Sequence, residues 1–349
     1  MEIHPIPRDP LRFDAFALLA RFGRERRVSL RDPKTLEELL VQVREKVSET
    51  VDNPIFLFGQ RTESMFEGLI ASLGHFQLLR REDVGEFYVS DTGLRVPDFQ
   101  VVLDDGARLL IEVKNHHPKR NPLKDFALRG GYLDGLRSYA ALLDCPLAIA
   151  IYWSQLNLWT LVPEARFRKV KSRDIVDFTT AMGSNIMAIL GDLTIGTQAP
   201  LLARIWANED QPRSIDDNGE VDFIIANVEI FSQDRLITDK MEQSIALNLM
   251  FFGKWLEHSS VLLDEGGELQ GVEFRFQPEE STGLGFEIVG SLSEMFSKYF
   301  IFETSETDGV YQTQAHISPG SFGQLVPAGY KGDVLKLWRF TLQPWKDKE

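Results

Sequence analysis

The segment from Arg95 to Lys114 constrains the fold of this chain more than any other stretch. Two arms, Phe99 to Leu103 and Ala107 to Lys114, are rich in β-branched and apolar residues and flank Asp104-Asp105-Gly106, a composition that predicts a β-hairpin. A three-residue loop with Gly106 in the left-handed conformation pairs residue 103 with 107 and sets Asp98 opposite Glu112. Successive side chains point to opposite faces, so Lys114 emerges beside Glu112, one step further along. Three ionisable groups then share one face at one end of the hairpin. The arm Leu109 to Val113 is otherwise apolar enough to be a buried central strand, which argues against an ordinary wet face.

Two carboxylates held that close repel unless a cation lies between them, and a hard divalent ion suits oxygen ligands. Mg²⁺ is the expected ion, with Mn²⁺ as a substitute. The ammonium does not ligate metal, but it can orient or help deprotonate an attacking water and offset charge on a scissile phosphate. Hydrolysis of a phosphodiester uses all three groups.

Pro97-Asp98, thirteen residues, then Glu112-Val113-Lys114 resembles the core motif of the PD-(D/E)xK nuclease superfamily. The resemblance covers roughly residues 58–162. It implies an α/β restriction-endonuclease-like core, a mixed central β-sheet flanked by helices, within a chain that is α+β overall. It also implies that Asp98, Glu112 and the Val113 backbone carbonyl hold the metal and that Lys114 serves catalysis. Members often place a glutamate on the helix before the sheet; Glu67 is the choice here, with Glu63 one turn away close behind. DNA is a more natural substrate than RNA on family grounds. The chain departs from members that carry Gln or Lys on the helix after the motif, leaving Arg129 or Arg137 to substitute.

A net charge of −14 is unusual for a protein that approaches a polyanion. Of 38 Lys and Arg and 52 Asp and Glu, residues 1–172 hold 25 and 24, leaving 13 and 28 to residues 173–349, so the acidity belongs to the second half. Lys119, Arg120, Lys124, Arg129 and Arg137 follow the motif as a local basic patch for phosphate contacts, or as a solvated face. Adjacent His116 and His117 read as surface residues rather than ligands. Cys145, the single cysteine, excludes an internal disulfide, and no Cys/His cluster is spaced for zinc. No apolar run is long enough to span a membrane and no signal peptide is recognisable, so a cytoplasmic location is expected.

Three units are expected. Residues 1–57 form a helical leader packing on the core, with Thr35-Leu36-Glu37-Glu38 as a capping box and an apolar stripe of Leu36, Leu39, Leu40, Val43 and Val47. Residues 58–172 form the nuclease domain: a helix at 61–74, strands at 76–80 and 86–90, the hairpin, a helix from Tyr132 to Leu143, and strands at 147–153 and 158–162. The 147–153 strand should run parallel to a hairpin arm through a helical crossover. Residues 173–349 form a separate acidic α+β domain for recognition, homodimerisation, a partner protein or regulation. It is expected to hold a helix near 173–190, strands at 221–232 and 269–277, helices at 238–257 and 291–300, and a strand-rich tail from 311 to 345. A Mg²⁺-dependent DNA nuclease is the favoured reading, in restriction, repair or anti-phage defence. The alternatives are a catalytically silent nucleic-acid-binding or assembly protein that keeps the nuclease fold, or an acidic interaction protein with an incidental hairpin.

Overall fold

The structure, a computed structural model, describes residues 10–82, 88–89, 93–216, 218–306, 309–310, 312–318, 320–321, 326–327 and 329–344. The strand expected at 86–90 lies mostly outside them. The chain is a mixed α/β protein with several sheets. It opens with α1 (Pro10–Arg26), α2 (Pro33–Val51) and α3 (Pro54–Leu73). The capping box expected at Thr35 does not form, because α2 begins earlier. Asp32 caps it, accepting from Lys34 N at 3.0 Å, and Pro33 takes a first-turn position where a missing N–H costs nothing. Thr35 is buried and donates to the Ser29 carbonyl. Of the α2 stripe only Leu39 is buried; Leu36, Leu40 and Val47 are exposed. α2 packs on α1 and α3. α3 begins where Asn53 accepts from Ile55 N and Phe56 N, earlier than expected, and ends at Gly74, whose φ of +76° suits glycine.

β1 (Leu78–Arg81), β2 (Phe99–Val102), β3 (Arg108–His116), β4 (Phe126–Leu128), α4 (Tyr132–Leu142), β5 (Leu147–Trp153) and β6 (Leu158–Pro163) follow. All these strands but β4 form one sheet in the order β1-β2-β3-β5-β6, antiparallel except for the parallel β3–β5 pair that α4 connects. The hairpin has the expected register: Phe99 faces Ile111, Leu103 N donates to the Ala107 carbonyl at 2.8 Å, and Gly106 turns at φ +84°. Ile111, Val113, Ala148 and Ala150 face α3, whereas Leu110, Ile149 and Ile151 face Leu133 and Leu136 of α4. β7 (Arg168–Val170) and β8 (Arg173–Val176) join β4 in a small sheet, a hairpin that crosses the expected 172/173 boundary. The helix expected near 173–190 is instead β8, the short α5 (Phe178–Gly183) and a 3-10 turn at Met187–Leu190. Ile175 and Val176 favour extended backbone, and Asp177 starts only the six-residue helix by accepting from Thr180 N at 2.8 Å.

The remaining elements are β9 (Thr194–Thr197), β10 (Leu201–Ala207), β11 (Arg213–Ile215), β12 (Val221–Phe223), β13 (Ile225–Ser232), β14 (Arg235–Ile237), α6 (Lys240–Phe252), β15 (Leu256–Leu263), β16 (Leu269–Gln277), β17 (Glu287–Ser291), α7 (Leu292–Thr304), β18 (Ser305–Glu306), β19 (Gly309–Val310) and β20 (Leu337–Phe340). An antiparallel sheet has the order β14-β13-β10-β16-β15, and a smaller one β17-β9-β20. The expected capping box opens α7: Ser291 Oγ accepts from Glu294 N, and Glu294 Oε2 accepts from Ser291 N. The tail is not strand-rich; β20 is its one strand among the described residues, and Tyr330 closes a turn by donating to the Leu335 carbonyl.

One buried apolar cluster runs from Phe66 and Leu69 on α3, through the sheet, to Ile195, Leu201, Leu249, Phe296 and Phe300. Gly68 permits the contact between α3 and α7, since a Cβ there would lie 3.0 Å from both the Phe296 ring and the Ile317 side chain. Trp159 Nε1 donates to Ser297 Oγ at 2.9 Å, and Arg61 donates to Thr304 Oγ1 and Ser305 Oγ. Among the described residues no helix is long and apolar enough to cross a membrane.

Candidate active site

Asp98 immediately precedes β2, and Glu112 and Lys114 lie on the strand that pairs with it. The hairpin therefore delivers all three to one cavity of about 390 Å³, lined also by Glu63, Arg95 and Tyr132. Asp98 Oδ2 accepts from Val113 N at 2.6 Å, a bond across the two arms that holds the carboxylate at the strand end. Glu112 is 1% exposed. Its Oε1 accepts from Tyr132 OH at 2.5 Å and from Lys114 Nζ, while its Oε2 is buried with no hydrogen-bond partner among the described residues. Lys114 Nζ also donates to the Val113 carbonyl at 3.0 Å and lies 5.2 Å from the Tyr132 ring centre.

The electrostatics follow from this crowding. Burial first, then the Glu112 carboxylate, pushes Asp98 up to about 7. Burial alone would lower the Lys114 ammonium, but Glu112 and Asp98 outweigh it and hold it above its usual range. Burial pushes the Tyr132 hydroxyl up to about 12, so it stays a neutral donor to Glu112.

An unpartnered buried carboxylate oxygen beside a second carboxylate that resists ionising is the donor set a hard cation satisfies. Asp98, Glu112 and the Val113 carbonyl are the oxygens that could hold it. Among the described residues no group of three or more His, Cys, Asp or Glu side chains is placed for a metal.

Of the two helix glutamates, Glu63 lines the cavity and helps to raise Asp98. Glu67 is engaged by Arg81, which donates to its Oε2 at 2.6 and 3.0 Å and whose charge also reaches Glu63 and Asp98. Lys119, Arg120, Lys124 and Arg129 are all exposed on or after the β3–β4 loop. Arg137 is occupied by Glu164 at 2.6 Å and Asp134 at 3.4 Å. His117 Nδ1 bonds Ser154 Oγ, and His116 stacks edge-on against Phe126 and Trp153. Sequence reading passed over Tyr132 and Arg95, whose guanidinium lies 4.7 Å from the Tyr132 ring centre. Tyr132 was hidden among the apolar repeats of α4; Arg95, two residues before Pro97, was the available signal.

No family model and no curated protein matches the chain. Among solved structures it aligns with Hjc from Archaeoglobus fulgidus, a Holliday junction resolvase from an archaeal hyperthermophile, at a TM-score of 0.29 and 17% identity. The alignment covers 38% of this chain and 95% of that one.

Proposed function

We propose that the chain is a divalent-metal-dependent nuclease that hydrolyses phosphodiester bonds of DNA, built on a restriction-endonuclease-like core. One observation carries the reading: Asp98, Glu112 and Lys114 converge in one cavity where Glu112 Oε2 is buried without a partner among the described residues. A divalent cation held there by Asp98, Glu112 and the Val113 carbonyl would supply Lewis acidity toward the scissile phosphate. Lys114 places a positive charge beside the same phosphate and offsets the charge that grows on it during attack. Tyr132 fixes the Glu112 side chain through Oε1 and leaves Oε2 without a protein partner among the described residues. Glu63 lines the same cavity, where it would orient an attacking water.

A second reading, nucleic-acid binding without cleavage, is favoured by one contact. Lys114 Nζ sits on Glu112 Oε1 and on the Val113 carbonyl, and the second of these is an oxygen the metal would use. The deciding experiment incubates the full chain with supercoiled, linear, single-stranded and branched DNA, and with RNA, with Mg²⁺, Mn²⁺ or EDTA. Mg²⁺- or Mn²⁺-dependent cleavage is expected, lost by at least about 100-fold in Asp98→Asn, Glu112→Gln and Lys114→Met with circular dichroism unchanged. Near wild-type turnover in any of the three would remove the assigned site.

A further inference from the structure

A second cavity, of about 630 Å³, lies between α3, the ends of β3 and β5, and α7. Glu63 and Lys114 line both it and the carboxylate cavity, so the two adjoin. Its walls are mainly apolar or aromatic: Phe58 and Met65 on α3, Tyr152 on β5, and Ile301 on α7. Its polar lining comes from Arg61, Glu63, Lys114, Asn115, His117 and Ser154, among others. Asn115 Oδ1 is buried with no hydrogen-bond partner among the described residues, whereas Ser154 Oγ is engaged by His117 and the His116 carbonyl. The cations at its edge are committed, Arg61 to Thr304 and Ser305 and Lys114 to Glu112.

A phosphate there would have to compete for Arg61 and Lys114, whose donors are already engaged by Thr304, Ser305 and Glu112. The cavity fits a flat, uncharged heterocycle that stacks on aromatic and aliphatic side chains and offers an N–H donor to an orphan acceptor. We infer that it receives a nucleobase unstacked from the strand next to the scissile phosphate, so that the preferred substrate carries an unpaired nucleotide there. The inference rests on the nuclease reading for the adjoining site. A base stacked inside a duplex cannot reach such a pocket without being extruded, and extrusion is least costly where the base is already unpaired. Phe58, half exposed at 46%, would be the stacking surface, and Asn115 would read the edge of the base.

The test uses the full chain and three DNAs: a fully paired duplex, the same duplex with a one-nucleotide bulge, and that bulge made abasic. Affinity is measured in EDTA, where no cleavage intervenes, and cleavage separately in Mg²⁺. Wild type is expected to bind the base-bearing bulge about tenfold more tightly than either control. Phe58→Ala and Asn115→Leu should each shrink that preference to within about twofold while retaining affinity for the paired duplex; Phe58 is exposed enough for its loss to leave the fold intact. Equal binding of all three DNAs by wild type, no binding at all, or a preference kept in both variants would overturn the inference. Base-dependent binding without cleavage in Mg²⁺ would keep the pocket and remove the nuclease reading. Cleavage of all three DNAs at equal rates, with equal binding, would do the reverse.

Discussion

Burial and the neighbouring Glu112 carboxylate hold Asp98 at about 7, against 3.8 for the isolated group, so folded chains keep this proton to higher pH than unfolded ones. The stability contributed by neutral Asp98 is therefore complete below the unfolded value and is lost as pH rises through about 7, by up to about 1.4 kcal/mol per pH unit. In EDTA, the melting temperature of wild type should fall relative to Asp98→Asn between pH 5 and 8. Added Mg²⁺ should raise the wild-type value, more at pH 8 than at pH 5, and the variant much less. Parallel pH profiles for the two proteins would show that Asp98 does not share its charge burden with Glu112. A second residue-scale prediction separates the helix glutamates. Glu63→Gln should slow cleavage about 10- to 100-fold, as loss of a group supporting the metal site does. Glu67→Gln gives up a half-exposed ion pair with Arg81, worth about 1 kcal/mol at most, and should leave cleavage little changed. The reverse order would place Glu67 in the site.

At the scale of elements, the loop after β3 and the helix α4 both carry basic residues, but in different states. Lys119, Arg120 and Lys124 are exposed, whereas Arg137 is held by Glu164 and Asp134 and approaches the buried Asp174 at 3.8 Å. Changing the three loop residues together to Ala should flatten the dependence of log K on log salt by about 0.9 per lost duplex contact. Arg137→Ala should leave that slope unchanged and lower the melting temperature instead; a lowered slope would mean that α4 meets phosphate. The hairpin register was legible because period-two alternation and Asp-Asp-Gly both act locally, and β5 and the α7 capping box were legible for the same reason. Which of Glu63 and Glu67 supports the site was not legible, since both occupy one flank of α3 and the ion pair of Glu67 with Arg81 depends on where β1 is placed. Tyr132 was read as core because an aromatic at helical spacing gives no sign that its hydroxyl reaches a buried carboxylate. The expected helix near 173–190 failed where β7 and β4 offered Ile175, and β4 offered Val176, a strand partner, a tertiary event absent from the local pattern.

For the molecule as a whole, the apolar cluster that covers the back of the active-site sheet is completed by α6, α7 and β10. The acidic half, net −15 against +1 for residues 1–172, is thus bound to the basic half through apolar packing, and its charge does not set the two apart. Full-length protein should unfold in one cooperative transition by both near-ultraviolet circular dichroism and fluorescence. Residues 1–172 expressed alone, lacking β8 and the partners of α3, should bind a hydrophobic dye and show weak near-ultraviolet signals. A fragment with native-like spectra that cleaves DNA would show that the first half has a sufficient core of its own.

The contact of Gly68 with Phe296 joins segments far apart in the chain, and that distance has a consequence during synthesis. At the usual pace of ribosomes, α3 emerges on the order of tens of seconds before α7. Through that interval the part of α3 that meets α7 stays uncovered, although β3 and β5 can already pack against the helix. The hairpin can form early from local pairing, but the scaffold that holds Glu63 and Lys114 in place waits for the last third of the chain. A nascent chain would then be chemically silent until it is almost complete, and most exposed to chaperones and to aggregation just when its catalytic strands are already made.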